Sequence, residues 1–154
     1  MGEVTPELRA IIADMTDTMY DEVGIGLAAP QVGISLRLIV VADEEGRSVQ
    51  ALLNPAIVEQ GGEAVGEEGC LSIPGVFAPV TRAAWVKVEA HALDGKLLTI
   101  NARGLRARVL QHEIDHLDGV LFIDRVDAVT RDRIKRKIKK EGLREDASRH
   151  AFAL

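Results

Sequence analysis

The residues that could do chemistry lie closest together at positions 112–116, which read His-Glu-Ile-Asp-His. On an α-helix, His112 and His116 are four residues apart and project from the same face, so their imidazole rings can hold one metal ion. Glu113 lies beside them and can serve as the general base toward a metal-bound water. The pattern predicts metal-assisted hydrolysis. The alternative is a buried helix in which both histidines are satisfied by hydrogen bonds.

A catalytic metal needs a third protein ligand, and the single cysteine of the chain, Cys70, is the candidate. It lies in the stretch EGCLS at residues 68–72, ahead of Ile-Pro-Gly at 73–75. We interpret Ile73-Pro74-Gly75 as an irregular segment, where a thiolate could point into a cleft. A lone cysteine is more often a small buried apolar residue, so Cys70 by itself leaves both interpretations open.

A third stretch, GIGLAAPQ at residues 24–31, is apolar and punctuated by glycine. Taken alone it is weak evidence, because a simple turn between a helix and a strand would read the same way. It also lacks the preceding strand and following helix that a dinucleotide-binding fingerprint requires.

The three stretches occur together and in one order, GIGLAAPQ, EGCLS and QHEIDH, and in this the sequence resembles the peptide deformylases. These enzymes remove the N-formyl group from nascent polypeptides that begin with formylmethionine. The resemblance runs from about Leu8 to about Val126, which is most of the chain. Three motifs in register are far more specific than His-Glu-Ile-Asp-His alone.

The resemblance implies one divalent metal per chain, held by Cys70, His112 and His116. It implies Fe(II) as the native ion, and Zn(II), Ni(II) or Co(II) could replace it at such a site.

The resemblance also assigns the catalytic groups. Glu113 would carry the proton from water to the leaving amine. The side-chain amide of Gln31 and the backbone N–H of Leu71 would stabilise the oxyanion. The products would be formate and a free N-terminal methionine.

Substrate binding must read a peptide backbone and a methionine side chain. An extended peptide can pair with an exposed strand edge, and Gly24, Ile25 and Gly26 suit this because glycines let another backbone approach closely. Leu105 and Val109, one helical turn apart, could line an apolar methionine pocket. Packing in the core is the alternative for both.

Several charged residues near the motifs have two interpretations. Asp115 could orient a histidine, or it could be a solvated or capping aspartate. Glu68 and Arg82 could form an ion pair that holds the cysteine segment rigid. Arg108 is interpreted as a contact at the pocket rim or as a solvated charge.

The apolar patterning predicts an α+β fold in which antiparallel strands pack around a central helix that carries His-Glu-Ile-Asp-His, with further helices at both ends. The first helix opens at Thr5-Pro6 and ends near Glu22. Strands are predicted at 36–42, 49–53, 83–92 and 97–102, the last two joined by a hairpin at Asp94-Gly95. The central helix is predicted over 105–117.

Length and composition predict a single domain over residues 1–154, with 47% hydrophobic and 28% charged residues. No apolar run is long enough to span a membrane, and no secretory signal opens the chain. One cysteine cannot form an internal disulfide, and a thiolate ligand suits a reducing compartment. Since formylated starts belong to bacterial translation, a bacterial cytoplasm is the expected location.

The C-terminal region is strongly basic, although the net charge of −5 argues against a nucleic-acid-binding surface over the whole protein. Residues 131–144 contain eight basic and two acidic side chains. They fall in a predicted helix over about 128–143, followed by a tail expected to be disordered. Such a helix is usually a solvated face. By the resemblance, it would instead dock on ribosomal RNA, as in bacterial deformylases.

Two other classes of protein share parts of this pattern. A metallopeptidase would also carry His-Glu-Ile-Asp-His, but its third ligand is normally a downstream histidine or glutamate. A non-catalytic ribosome-binding module would need the basic helix but not Glu113. Deformylases commonly carry a further strand-forming segment before the first helix, so we expect one sheet edge to be less protected here.

Overall fold

The computed structural model of the chain describes residues 6–21, 25–42, 48–70, 73–120, 125 and 128–141. Within these ranges the helices are α1 (Pro6–Asp21), α2 (Gly104–Leu117) and α3 (Ala128–Glu141), and a single 3-10 turn covers Ala29–Val32. The strands are β1 (Gly26–Ala28), β2 (Leu38–Ala42), β3 (Val49–Gly61), β4 (Ala64–Cys70), β5 (Ile73–Arg82), β6 (Trp85–His91) and β7 (Leu97–Arg103).

Five of these strands form one antiparallel sheet in the order β1-β2-β3-β6-β7. Strand β6 shows the alternation that a half-buried strand needs, because Val86, Val88 and Ala90 are buried between less buried neighbours. The predicted hairpin between β6 and β7 is confirmed. Its turn contains Gly95 with a φ of +84°, a conformation that glycine adopts without strain.

Helix α1 packs one apolar face on the sheet, as its spacing predicts. Leu8, Met15 and Met19 are buried in a cluster with residues of β1 and β2, and Ile11 and Ile12 pack at its margin. Thr5 and Glu22, at the predicted helix ends, lie outside the described residues.

Helix α2 packs in the centre of the molecule. Ala107, Val109, Leu110 and Ile114 join a second core cluster with residues of β1, β2, β3, β6 and β7. The α+β fold with antiparallel strands around a central helix is therefore confirmed, as are the helix at 105–117 and its end at Asp118-Gly119, where Gly119 has a φ of +76°.

Strands β4 and β5 form a separate two-stranded sheet, paired from Ala64↔Arg82 to Cys70↔Ile73. Residues 73–75 were interpreted as irregular; they lie in β5, which begins at Ile73, but the pairing shifts register there, from Gly69↔Phe77 to Cys70↔Ile73. Pro74 and Gly75 weaken the strand signal in the sequence. Strand β3 also runs beyond its predicted end at Leu53, with bulges that accommodate Asn54 and Val58.

Helix α3 begins at the predicted residue, and Ile134 is buried while Ile138 is partly buried. Its basic residues 133, 135, 136 and 139 are exposed. The predicted tail after residue 143 lies outside the described residues. No helix among the residues searched is long and apolar enough to cross a membrane.

Candidate active site

Helix α2 delivers His112, Glu113 and His116 to the interior of the protein. All three side chains are buried, with at most 6% of their surface exposed. The Nε2 atoms of the two histidines lie 2.9 Å apart. Together with a Glu113 carboxylate oxygen, one ligand atom from each residue lies within 4.8 Å of the others, a group that could hold one metal ion.

Glu68 fixes the orientation of the His112 ring. Its Oε1 lies 2.9 Å from His112 Nδ1 and also accepts a 2.9 Å hydrogen bond from Arg82. Burial alone would raise the pKa of Glu68, but the hydrogen bonds from His112 and Arg82 outweigh it and lower that pKa to about 2. The ionised carboxylate can only accept, so His112 Nδ1 must donate and its Nε2 faces His116.

His116 offers a neutral imidazole. Burial, and the proximity of His112, lower the pKa of His116 to about 4. A neutral ring keeps a nitrogen lone pair that a metal ion can accept. Two such nitrogens facing one another, one of them fixed by a carboxylate behind it, fit the donor set of a transition-metal site.

Glu113 is a fully buried carboxyl group beside the two histidines. Neither of its oxygens has a hydrogen-bond partner among the described residues. Burial, followed by the charge of Glu68, raises the pKa of Glu113 well above its usual range. The backbone of Gly26 packs directly against it, since a Cβ at that position would lie 2.6 Å from Glu113 Oε2.

The residues predicted to flank the site come from β1 and the turn after it. Gly26 opens β1, which is one of the two edge strands of the five-stranded sheet among the described residues, and Ile25 immediately precedes it. Gln31 lies in the 3-10 turn, where its Oε1 accepts a 2.8 Å hydrogen bond from Ala28 N–H. The stretch interpreted as a loop therefore contains a short strand. Gly24 lies outside the described residues.

The predicted cysteine ligand is only partly described. Cys70 is the last residue of β4, but its side chain lies outside the described part of the chain, as does all of Leu71. The backbone of β4 nevertheless passes next to α2, because Glu68, two residues before Cys70, contacts His112.

The two residues predicted for the methionine pocket differ in environment. Val109 is 4% exposed, belongs to the core cluster and packs near Gly26. Leu105 is 47% exposed. The Val109 side chain is therefore mostly packed in the core, whereas the exposed Leu105 side chain is available for contact with another molecule.

Two charged residues occupy other positions than the sequence suggested. Asp115 is neither solvated nor a cap, because it accepts hydrogen bonds from Arg82 and Arg125. Arg108 is buried, so both interpretations of it were wrong; its guanidinium donates to Glu68 Oε2. The predicted ion pair between Glu68 and Arg82 is confirmed, with both carboxylate oxygens engaged.

Sequence reasoning missed that Glu68 contacts His112 and Arg108. Weak signals exist, since Glu68 lies two residues before Cys70 and Arg108 lies one helical turn before His112. Neither signal brings together segments that lie 40 residues or more apart in the sequence.

These buried groups define a candidate site for metal-assisted hydrolysis, and comparison with known proteins gives the family. The polypeptide deformylase family matches residues 1–132. A peptide deformylase from Syntrophobacter fumaroxidans is 54% identical over 137 residues, which cover 87% of this chain and 81% of that protein. One from Desulfitobacterium hafniense is 49% identical over 129 residues, covering 84% and 85% respectively.

Solved structures of peptide deformylases also resemble this chain. A crystal structure of a peptide deformylase from Legionella pneumophila has a TM-score of 0.84 and 46% identity, and the match covers 91% of this chain and 83% of that one. The chain belongs to the polypeptide deformylase family, whose members are metal-dependent hydrolases that remove the formyl group from nascent polypeptides. This assignment favours deformylation over the metallopeptidase and the non-catalytic module.

Replacing Glu68 by glutamine should strongly destabilise the protein, because the buried Arg108 would lose the carboxylate it pairs with and Arg82 would lose one of two. Breaking a buried ion pair from one side typically costs about 3–5 kcal/mol. We expect a loss of that order in the free energy of unfolding, measured by urea denaturation of the metal-free protein. Glu67→Gln, at the exposed neighbouring position, is the control; equal stability of the two variants would contradict the prediction.

Proposed function

We propose that the chain carries out the reaction of its family with Cys70, His112 and His116 as ligands of one divalent metal and Glu113 as the general base. The main support is the pair of imidazole nitrogens 2.9 Å apart beside a buried carboxyl group without a partner among the described residues. A purely structural helix gains nothing from such a carboxyl group, because burying it unsatisfied costs stability.

The residues of the chain move one proton during the reaction. When bound, the metal would activate a water molecule and polarise the formyl oxygen. Glu113 accepts a proton from the water as the water oxygen attacks the formyl carbon. Glu113 then donates that proton to the amine nitrogen as the carbon–nitrogen bond breaks, and formate and a free N-terminal methionine leave. A raised pKa suits a group that must first take up a proton and then release it.

Gln31 and Leu71 would stabilise the negative charge on the former formyl oxygen. The oxygen of the Gln31 amide is held by Ala28 N–H, which leaves its NH₂ end as the end that donates. The backbone N–H of Leu71 would be the second donor. Groups of this kind typically contribute a few kcal/mol each to transition-state stabilisation.

Fe(II) is the ion we propose in the cell, with Zn(II), Ni(II) and Co(II) as alternatives. A thiolate with two imidazoles suits all four ions, so the donor set agrees with the family without selecting among them.

The substrate would bind as an extra strand along β1. This strand is one edge of the described sheet, and Gly24, Ile25 and Gly26 would pair with the backbone of the formylated peptide. The methionine side chain would contact Leu105, whose exposed surface is available, and reach toward Val109. Recognition through the backbone and one apolar pocket explains how one enzyme can act on many nascent chains.

We also propose that α3 attaches the enzyme to the ribosome. Its exposed Arg133, Lys135, Arg136 and Lys139 lie on a helix that is fastened by the buried Ile134. Phosphate groups of RNA are the ligands such a surface would contact. A bacterial cytoplasm and a single domain over residues 1–154 fit this proposal.

Glu113→Gln should abolish most of the activity and leave the metal site intact. Loss of a general base typically costs about 10²–10⁴-fold in rate. Formate release from a formyl-methionyl peptide, by protein loaded with Fe(II) under anaerobic conditions, measures this. Because glutamine has nearly the same size as glutamate and cannot carry a buried charge, the melting temperature should not fall.

Glu67→Gln is the control for that experiment and should retain full activity. Full formate release by Glu113→Gln at unchanged metal content would rule out Glu113 as the base. A folded, metal-loaded parent protein that releases no formate would contradict the proposed function itself.

Replacing Arg133, Lys135 and Arg136 together by glutamine should weaken sedimentation with bacterial ribosomes. Each lost phosphate contact should lower the slope of log affinity against log salt by about 1. The control removes the same charge from the β6–β7 hairpin, at Lys87, Lys96 and Arg103. Equal effects of the two triple variants would indicate nonspecific attraction and contradict docking through α3.

A further inference from the structure

The proposed metal ligands come from two parts of the fold that share no strand ladder. His112 and His116 lie on α2, which packs on the five-stranded sheet, whereas Cys70 ends β4 of the two-stranded sheet. Something other than backbone pairing must therefore fix the β4–β5 hairpin against α2. If the hairpin could shift against α2, the proposed ligand Cys70 would move relative to His112 and His116.

Arg108 makes one such connection, beside the contacts of Glu68 with His112 and of Arg82 with Asp115. The Arg108 side chain leaves α2 one turn before His112, and its guanidinium donates to the carbonyl oxygens of Val80 at 2.9 Å and Ala64 at 2.8 Å, and toward that of Gly66 at 3.5 Å. Ala64 and Gly66 lie on β4 and Val80 on β5, so one planar group holds both strands. The same group donates to Glu68 Oε2.

The hairpin is shaped to receive this guanidinium. A Cβ at position 66 would lie 3.0 Å from Arg108 Cζ, so the group packs directly on the bare backbone of Gly66. The backbone of Gly66 is not in the left-handed region, so the fit against Arg108, rather than a turn, is what a larger residue would disturb.

We propose that Arg108 is a positioning residue for the metal site, because it fastens the β4–β5 hairpin, whose strand β4 ends at Cys70, to the helix that carries His112 and His116. The inference rests on the proposed ligand set. The proposal predicts that the several N–H donors of the Arg108 guanidinium determine metal affinity and thiolate ligation. This effect would come in addition to any contribution of Arg108 to the stability of the fold. A lysine would restore the positive charge near Glu68 but could not reach carbonyls on two strands at once.

Cobalt binding tests the proposal. Co(II) gives visible d–d bands for any tetrahedral site and a near-ultraviolet charge-transfer band only when a thiolate is bound. For Arg108→Met and Arg108→Lys we expect about 10- to 100-fold weaker Co(II) affinity in competition with a chelator, the range typical of groups that orient metal ligands. We also expect the charge-transfer band to fall relative to the d–d bands.

Arg106→Met and Arg106→Lys are the matched controls. Arg106 lies on the same helix, but its guanidinium donates to Gln50 at 3.3 Å, away from the hairpin. Both controls should keep the affinity and the band ratio of the parent protein. Equal losses in the Arg106 and Arg108 variants would show a general effect of α2 stability and overturn the proposal.

Gly66→Ala tests the same contact from the hairpin side and remains informative if Arg108→Met does not fold. The new methyl group should displace only the end of the Arg108 side chain, so the protein should fold and bind Co(II) more weakly. In the Arg108→Lys background the alanine should add little, because the group it collides with is gone. Fully additive effects of the two changes would overturn the proposal.

Two further outcomes are decisive. If Arg108→Lys kept the Co(II) affinity and the band ratio of the parent protein, a positive charge near Glu68 would suffice. That result would overturn the proposed role of the guanidinium donors. A parent protein that binds Co(II) without a thiolate band would instead overturn the proposed ligand Cys70, and with it this inference.

Discussion

One fully buried carboxylate, that of Glu68, joins the parts of the protein that the site needs. It accepts from His112 on α2, from Arg82 at the end of β5 and from Arg108 one turn before His112. A lone buried charge would be prohibitively costly, so these three donors are what allow the carboxylate to be there. In return it fixes the tautomer of His112 and holds the hairpin against the central helix.

The site uses two buried carboxyl groups in opposite ways. Glu68 is surrounded by donors, and the pKa of its carboxyl group is lowered. Glu113 has no partner among the described residues, and burial raises the pKa of its carboxyl group. Environments that push two such pKa values apart are typical of sites that separate a structural carboxylate from one that carries a proton. The roles proposed for the two groups agree with this difference, since Glu68 would hold His112 in place and Glu113 would carry the proton.

The sequence predicts the parts of this arrangement that depend on local pattern. The helical spacing of His112 and His116, the face of α1 and the turn at Asp94-Gly95 all follow from short-range periodicity and turn chemistry, and the structure contains each of them. The β4–β5 pairing was harder to predict because Pro74 and Gly75 interrupt the strand pattern. The partners of Arg108 could not be predicted, since they lie 28 to 44 residues away and depend on tertiary packing.

X-ray absorption spectroscopy of the Zn(II)-loaded protein tests the central claim, that one metal is shared between the hairpin and the helix. The account predicts one sulfur at about 2.3 Å and two imidazole nitrogens at about 2.0–2.1 Å from a single ion per chain. A first shell of nitrogen and oxygen alone would contradict it, because Cys70 would then not be a ligand and the hairpin would not contribute to the metal site.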